Sequence, residues 1–156
     1  MCVLVYNKLM VQIDKLEGKN IDLILTDFFN DETKSWFVPA FLYKIVLHNT
    51  NIAVGSCDAR IGYSENLFYG GNLGFFIKES YRGNGYAVEA VRLLEKVFKD
   101  NGMKEVYITN SPDNNSSIRV CEKVGAKFIK LVEVPEEHEI RKEGGEVYKN
   151  IWLLKV

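Results

Sequence analysis

Between residues 86 and 100 the apolar positions fall at Ala87, Ala90, Val91, Leu94, Val97 and Phe98, while Glu89, Arg92, Glu95, Lys96 and Lys99 turn elsewhere. Recurrence at three and four residues marks one face of an α-helix, and Asn101-Gly102 supplies a glycine stop. On either side the pattern becomes β-prone, with "NLGFFI" at 72–77 before the helix and "KEVYIT" at 104–109 after it. Strand, crossover helix and strand form the unit that joins parallel strands, so the pattern predicts a mixed α/β fold.

Upstream, "FLYKIVLH" (41–48) and "IAVGSCDARIGY" (52–63) flank the polar turn Asn49-Thr50-Asn51 and predict a hairpin. "VLVYNKLMVQI" (3–13) reads as a first strand. "NIDLILTDFFNDETKSWF" (20–37) reads as a helix giving way to an aromatic loop that ends at Pro39, and "YSENLFYGG" (63–71) reads as a loop. Downstream, "SPDNNSSIRVCEKVGA" (111–126) is a loop entering a short helix stopped by Gly125. "KFIKLVEV" (127–134) and "EVYKNIWLLKV" (146–156) are closing antiparallel strands on either side of a charged loop.

Composition narrows the classes. A chain of 156 residues fits a single domain, 1–156, and the prolines at 39, 112 and 135 punctuate it without marking a linker or repeat. With 20 basic against 21 acidic residues, neither nucleic acid nor an anionic membrane is expected as the main partner. A hydrophobic fraction of 47% argues against disorder. No apolar run approaches the roughly 20 residues of a membrane span, and the opening "MCVLVYNKLM" does not read as a signal peptide, so a cytoplasmic location is expected. Cys2, Cys57 and Cys121 form no CxxC pair and His48 and His138 stand apart from them, so no metal centre is expected.

The chemistry centres on Arg82-Gly83-Asn84-Gly85, which runs directly into the helix at 86–100. Glycine is a poor helix residue, by roughly 1 kcal/mol relative to alanine, so two glycines at a helix start point to a need for the bare backbone. The first amides of a helix lack intrahelical partners and, with the helix dipole, receive a negative group. Gly83 and Gly85 would admit the anion to the backbone, and the Arg82 guanidinium could pair with a phosphate oxygen. The stretch lacks the third glycine of a dinucleotide fingerprint and the Gly-Lys-Ser/Thr ending of a P-loop. An ordinary tight strand-to-helix turn is the plain structural alternative.

Arg82-Gly83-Asn84-Gly85-Tyr86-Ala87 resembles the Arg/Gln-x-x-Gly-x-Gly/Ala signature of the GNAT superfamily of N-acetyltransferases. "NNSSIRVCEKVGA" is similar to the later Asn-x-x-Ser/Ala helix of that family, with Asn114, Ser117, Glu122, Lys123 and Gly125 in matching places, nearest the branch of ribosomal-protein N-terminal acetyltransferases. The two matches and the strand order span about residues 52 to 156. The resemblance implies a mostly antiparallel twisted sheet with a central splayed parallel pair and flanking helices. It implies acetyl-CoA as cosubstrate, an amine acceptor, and transfer by direct attack without an acetyl-enzyme. Homodimers are common in such families.

On that resemblance the pyrophosphate would rest on the amides of residues 82–87, Tyr86 and Ala87 included, and the backbone of Phe75, Phe76 and Ile77 would pair with pantetheine. One strand N–H would face the thioester carbonyl, where oxyanion charge develops. The Phe75 and Phe76 side chains read as core. For proton removal the candidates are Glu79, Asp58 and Glu65, each also readable as a solvated surface carboxylate. Many relatives protonate the leaving thiolate with a tyrosine; Cys121 stands at that position here, and Ser117 is preferred as donor. Cys121 also reads as a small buried hydrophobe. Asn114 reads both as a cofactor contact and as a helix cap. Trp36, Tyr63 and Tyr69 are candidates for the acceptor pocket or the core rim, and the glutamate-rich 133–146 segment reads as a solvated hairpin. Acyl-CoA binding without turnover is the alternative function, favoured by the missing tyrosine and the absence of a carboxylate on the central strand.

Overall fold

The computed structural model describes residues 2–5, 8–30 and 38–156. Strands β1 (Cys2–Val5) and β2 (Lys8–Val11) pair antiparallel from Cys2↔Val11 to Val5↔Lys8, so the run at 3–13 is two strands where one was predicted. The polar Asn7 falls between them. The side-chain amide of Asn101 docks β2 on the core: its Oδ1 accepts from Val11 N at 2.8 Å and its Nδ2 donates to Val11 O at 2.9 Å.

The main sheet has the order β3-β4-β5-β6-β7, antiparallel throughout: β3 (Lys15–Glu17), β4 (Ile21–Phe29), β5 (Ala40–Leu47), β6 (Ala53–Arg60) and β7 (Leu73–Ile77). β5 and β6 form the predicted hairpin. β4 overturns the helix expected from residue 20, and the register explains why. A bulge between Leu25 and Asp27 inserts one residue, so the core-packed positions run Leu23, Leu25, Phe28, with Phe28 against Phe41 at 4.7 Å between ring centres. Intervals of two and then three residues imitate a helical repeat. The aromatic stretch that followed in the prediction, with Trp36, lies outside the described residues.

The second sheet has the order β8-β10-β9, from β8 (Glu105–Asn110), β9 (Lys127–Glu133) and β10 (Tyr148–Lys155), and β9 and β10 pair antiparallel as predicted. Two segments read as loops carry a short helix. Ser64 Oγ accepts from Leu67 N at 3.3 Å and caps α1 (Glu65–Gly70), while His138 Nδ1 accepts from Ile140 N at 3.2 Å and caps α4 (Glu139–Gly144). Each helix is too short to show a repeat, so only its cap announces it.

α2 (Tyr86–Asp100) crosses between β7 and β8 and buries Ala90, Val91, Leu94, Val97 and Phe98, all without solvent exposure. They pack with Phe41, Tyr43, Ile45, Val54 and Val106 in one core, each buried Val, Leu, Ile or Phe stabilising the fold by ~1.5–3 kcal/mol. Gly102, at φ +81°, closes α2 through Gly102 N to Lys99 O and Met103 N to Phe98 O, each 3.0 Å. α3 (Asn115–Lys123) follows β8. Among the described residues no helix is long and apolar enough to cross a membrane.

Candidate active site

The two sheets meet at one point and then part. Asn72, wholly buried, donates its backbone N–H to Tyr107 O at 2.8 Å and accepts from Tyr107 N on Oδ1 at 2.8 Å. Its Nδ2 donates to Arg60 O at 3.0 Å and Gly62 O at 2.9 Å, while its own carbonyl accepts from Arg60 N at 2.6 Å. The side chain thus keeps β6 bonded while the backbone turns toward β8. Gly71, at φ +79°, lets the chains come this close, since a Cβ there would lie 3.3 Å from Tyr107 O and Thr109 N. Beyond the junction, residues 73–77 and 108–111 line opposite sides of one cleft of about 750 Å³. Both strands run onward from the same junction, so they are parallel and splayed, and the cleft is within the size range of ligand sites, roughly 300–1,000 Å³.

The register decides which backbone groups face the gap. Lys78 N bonds Val54 O and Arg60 N bonds Asn72 O, so by strand alternation Gly74 and Phe76 are spent on β6. The N–H and C=O of Leu73, Phe75 and Ile77 point the other way, into the cleft. Phe75 and the Ile77 N–H are therefore open, whereas Ile77 O accepts from Arg82 Nε and Phe76 is spent on β6. The Phe75 side chain packs on the core, whereas Phe76 is 54% exposed on the opposite face beneath the Arg82 guanidinium, contrary to its reading as core.

At the mouth of the cleft α2 begins without a side-chain cap, its N-cap Gly85 in the left-handed region at φ 78°, ψ 12°. Gly83 has φ +83°, and a Cβ added at either glycine meets nothing within 4 Å. Packing does not demand these glycines; the left-handed turn does, and it leaves the first amides of α2 bare. Arg82, Gly83, Gly85, Tyr86 and Ala87 all line the cleft. Arg82 is steadied by Nε donation to Ile77 O at 2.9 Å. Asn84 lies outside the lining and closes the preceding 3-10 turn by donating from Nδ2 to Tyr81 O at 3.0 Å. Glu79, in that turn, is exposed and away from the cleft, as is Glu65 on α1.

Facing them, Asn114 and Ser117 line the cleft. Asn114 caps α3, its Oδ1 accepting from Ser117 N at 3.2 Å. Ser117 Oγ accepts from Asn110 Nδ2 at 3.3 Å, and Asn110 Oδ1 accepts from Trp152 Nε1 at 3.3 Å. Cys121 lies behind this group, fully buried and outside the lining, with Asn110 Nδ2 at 3.5 Å from its sulfur. Burial pushes its thiol up to about 12, which makes it a small hydrophobe with little acid character.

The sequence reading missed the far wall. Ser111 Oγ donates to Glu146 Oε1 at 2.5 Å and Lys149 Nζ pairs with Glu146 Oε2 at 2.8 Å, and all three line the cleft. Burial acts to raise the Glu146 carboxyl, but Lys149 and Ser111 outweigh it and hold the group below its ordinary value. Burial raises Asp58 in spite of its bond from Arg60 Nε at 2.7 Å; that carboxylate stands behind Arg60 and outside the lining. Arg60 in turn holds Gly70 O and Gly71 O from Nη1 at 2.9 and 3.0 Å. Tyr63 and Tyr69 do not line the cleft: Tyr63 OH donates to Glu105 O at 2.9 Å and the Tyr69 ring abuts His138. Among the described residues the lining carries Arg60, Arg82, Arg119, Lys123 and Lys149 against the single carboxylate of Glu146. A chain of net charge −1 thus has a cationic cleft, suited to a polyanion. No metal-binding group of His, Cys, Asp and Glu occurs among the described residues.

A splayed parallel pair, crossed by a helix whose bare N-terminus opens on the gap, defines an acetyltransferase-type fold. The family model of the acetyltransferase (GNAT) domain matches residues 22–127, more than half of the chain, and the chain belongs to that family. No individually curated protein matches it by sequence. Among solved structures it is similar to a protein from Chromobacterium violaceum described as a probable acetyltransferase of the GNAT family, at TM-score 0.67 and 14% identity over 94% of this chain and 88% of that one. It is also similar to the microcin C7 self-immunity acetyltransferase MccE, solved with acetyl-CoA and AMP, at TM-score 0.58 and 19% identity over 75% of this chain and 61% of that one. A third is RimL, the ribosomal L7/L12 α-N-protein acetyltransferase solved with coenzyme A, at 0.58 and 18% over 75% and 62%. These identities speak for the fold, and the chain spans about three fifths of the length of MccE and RimL.

Proposed function

We propose that the chain is an N-acetyltransferase, a single unit that moves the acetyl group of acetyl-CoA to a primary amine by direct attack. The observation that carries this is the gap between β7 and β8 with the uncapped start of α2 at its mouth. The cosubstrate fits there chemically: amides of residues 83–87 and Arg82 take the pyrophosphate, and the gap-facing groups of Phe75 and Ile77 continue the strand pairing to pantetheine. Ser117, in contact with the cleft and linked to Asn110, returns a proton to the departing sulfur. RimL, which acts on a protein α-amino group, makes a peptide N-terminus one class of acceptor; small amines are the other. A cytoplasmic location accords with the free, buried thiols of Cys57 and Cys121.

Calorimetry with acetyl-CoA, then thiol release across a panel of N-terminal peptides, polyamines, amino sugars and aminoacyl compounds, tests the proposal. Absence of acetyl-CoA binding would overturn it. Binding without thiol release from any acceptor would favour acyl-CoA binding without turnover, a reading supported by the burial of Cys121 where many relatives carry a tyrosine.

A further inference from the structure

The structure assigns a proton-accepting role to Glu146, with Ser111 and Lys149 as the residues that position it. This inference rests on the transferase reading above and names the group that reading leaves open. Glu146 is the one carboxylate among the described residues that line the cleft; Glu79 and Glu65 are exposed outside it, and Asp58 is tied to Arg60.

Its position is set from two strands. Ser111 follows the last residue of β8, and Lys149 lies near the start of β10, which pairs with β8 at Asn150↔Asn110. Ser111 and Lys149 each take one carboxylate oxygen, at 2.5 and 2.8 Å, and fix the group while leaving each oxygen a further lone pair. Asn110, the neighbour of Ser111, bonds Ser117, so the proton acceptor and the proton donor stand at the same end of β8. The other charged groups on the lining, Arg60 from β6, Arg82 before α2, and Arg119 and Lys123 from α3, are all cations. They favour an ionised Glu146 at neutral pH.

In the step, the amine nitrogen forms a bond to the acetyl carbonyl carbon and the carbon–sulfur bond breaks. The amine proton passes to Glu146 as the nitrogen loses its basicity, and the sulfur leaves as thiolate and is protonated through Ser117. Solvent takes the first proton and restores the second, so no redox partner is needed. A depressed carboxyl is a modest base before attack, but the new C–N bond makes the nitrogen far more acidic, and transfer then runs downhill.

The test uses acetyl-CoA with benzylamine, and acetyl-CoA with water alone, followed by thiol release from pH 5 to 9. Glu146→Gln keeps the shape and both neighbours, so acetyl-CoA affinity by calorimetry should stay within about twofold while thiol release falls about 100-fold or more. In Lys149→Met the cation that lowers Glu146 is gone, so the acid limb of the rate profile should move to higher pH. A structural role for the pair would not move that limb. Wild-type rate in Glu146→Gln or an unmoved limb in Lys149→Met would each overturn the assignment. Failure of the wild type to bind acetyl-CoA, or to release thiol at all, is a separate result and removes the transferase reading itself.

Discussion

The two walls of the cleft are made of different material. On one side the working groups are main-chain: amides at 83–87 and the gap-facing edges of Phe75 and Ile77 in the adjoining strand. On the other they are side chains, Ser111, Ser117, Glu146 and Lys149, brought from three separate segments. A wall of backbone needs a conformation, and a conformation is written in neighbouring residues such as Gly83 and Gly85. A wall of side chains needs only that distant positions meet.

The comparison is broken most severely by Gly85→Glu. With no atom within 4 Å of an added Cβ, packing is undisturbed, but charge and bulk enter the anion site. Acetyl-CoA affinity should fall about 100-fold, ~2.7 kcal/mol, by calorimetry. Gly85→Ala is the control: it carries only the left-handed strain of ~1–2 kcal/mol, seen as lost stability, with a smaller loss of affinity.

Next in its effect on acetyl-CoA binding is Asn72→Ala, at the junction the two walls share. It strips a partner from Tyr107 N, Arg60 O and Gly62 O, and buried groups without partners cost ~1–3 kcal/mol each, so denaturant unfolding should show a loss of about 3 kcal/mol. Acetyl-CoA binding should weaken too, because the opening of the gap is no longer fixed; unchanged affinity would show that the splay is held elsewhere.

Smaller again is Ser117→Ala, which should slow turnover about tenfold at near-normal acetyl-CoA affinity; a normal rate removes Ser117 as proton donor. The smallest effect lies away from both walls. Burial would raise Asp22, yet His48 Nδ1 at 2.8 Å and the N–H groups of Asn49 and Gly18 outweigh it and lower its carboxyl. With the folded value below the unfolded one, the stabilisation is present above about pH 4 and disappears as pH falls through the folded value. Asp22→Asn should flatten the acid limb of a stability profile without moving acetyl-CoA affinity.

Much of the fold was legible because its signals were local. The α2 stripe, the hairpin around Asn49-Thr50-Asn51 and the Gly102 stop each lie within one element. β4 was misread because a bulge at Thr26 changes the interval of inward positions, and a bulge is a property of pairing with β5. α1 and α4 were missed because one turn and a half leaves no period to detect. Phe76 was misassigned twice, in backbone and in side chain, because only the register with β6 says which way each residue of β7 faces.

By itself the sequence determined the βαβ crossover, the bare start of its helix and, through those glycines and the Asn114-to-Gly125 helix, the family. Each is a matter of backbone conformation, which residues close in sequence dictate. Tertiary structure alone decided where β7 leaves β8, which edges face the gap and that Glu146, Lys149 and Ser111 join one wall. Those depend on strand register and on contacts across the sheet, which no local run of residues encodes.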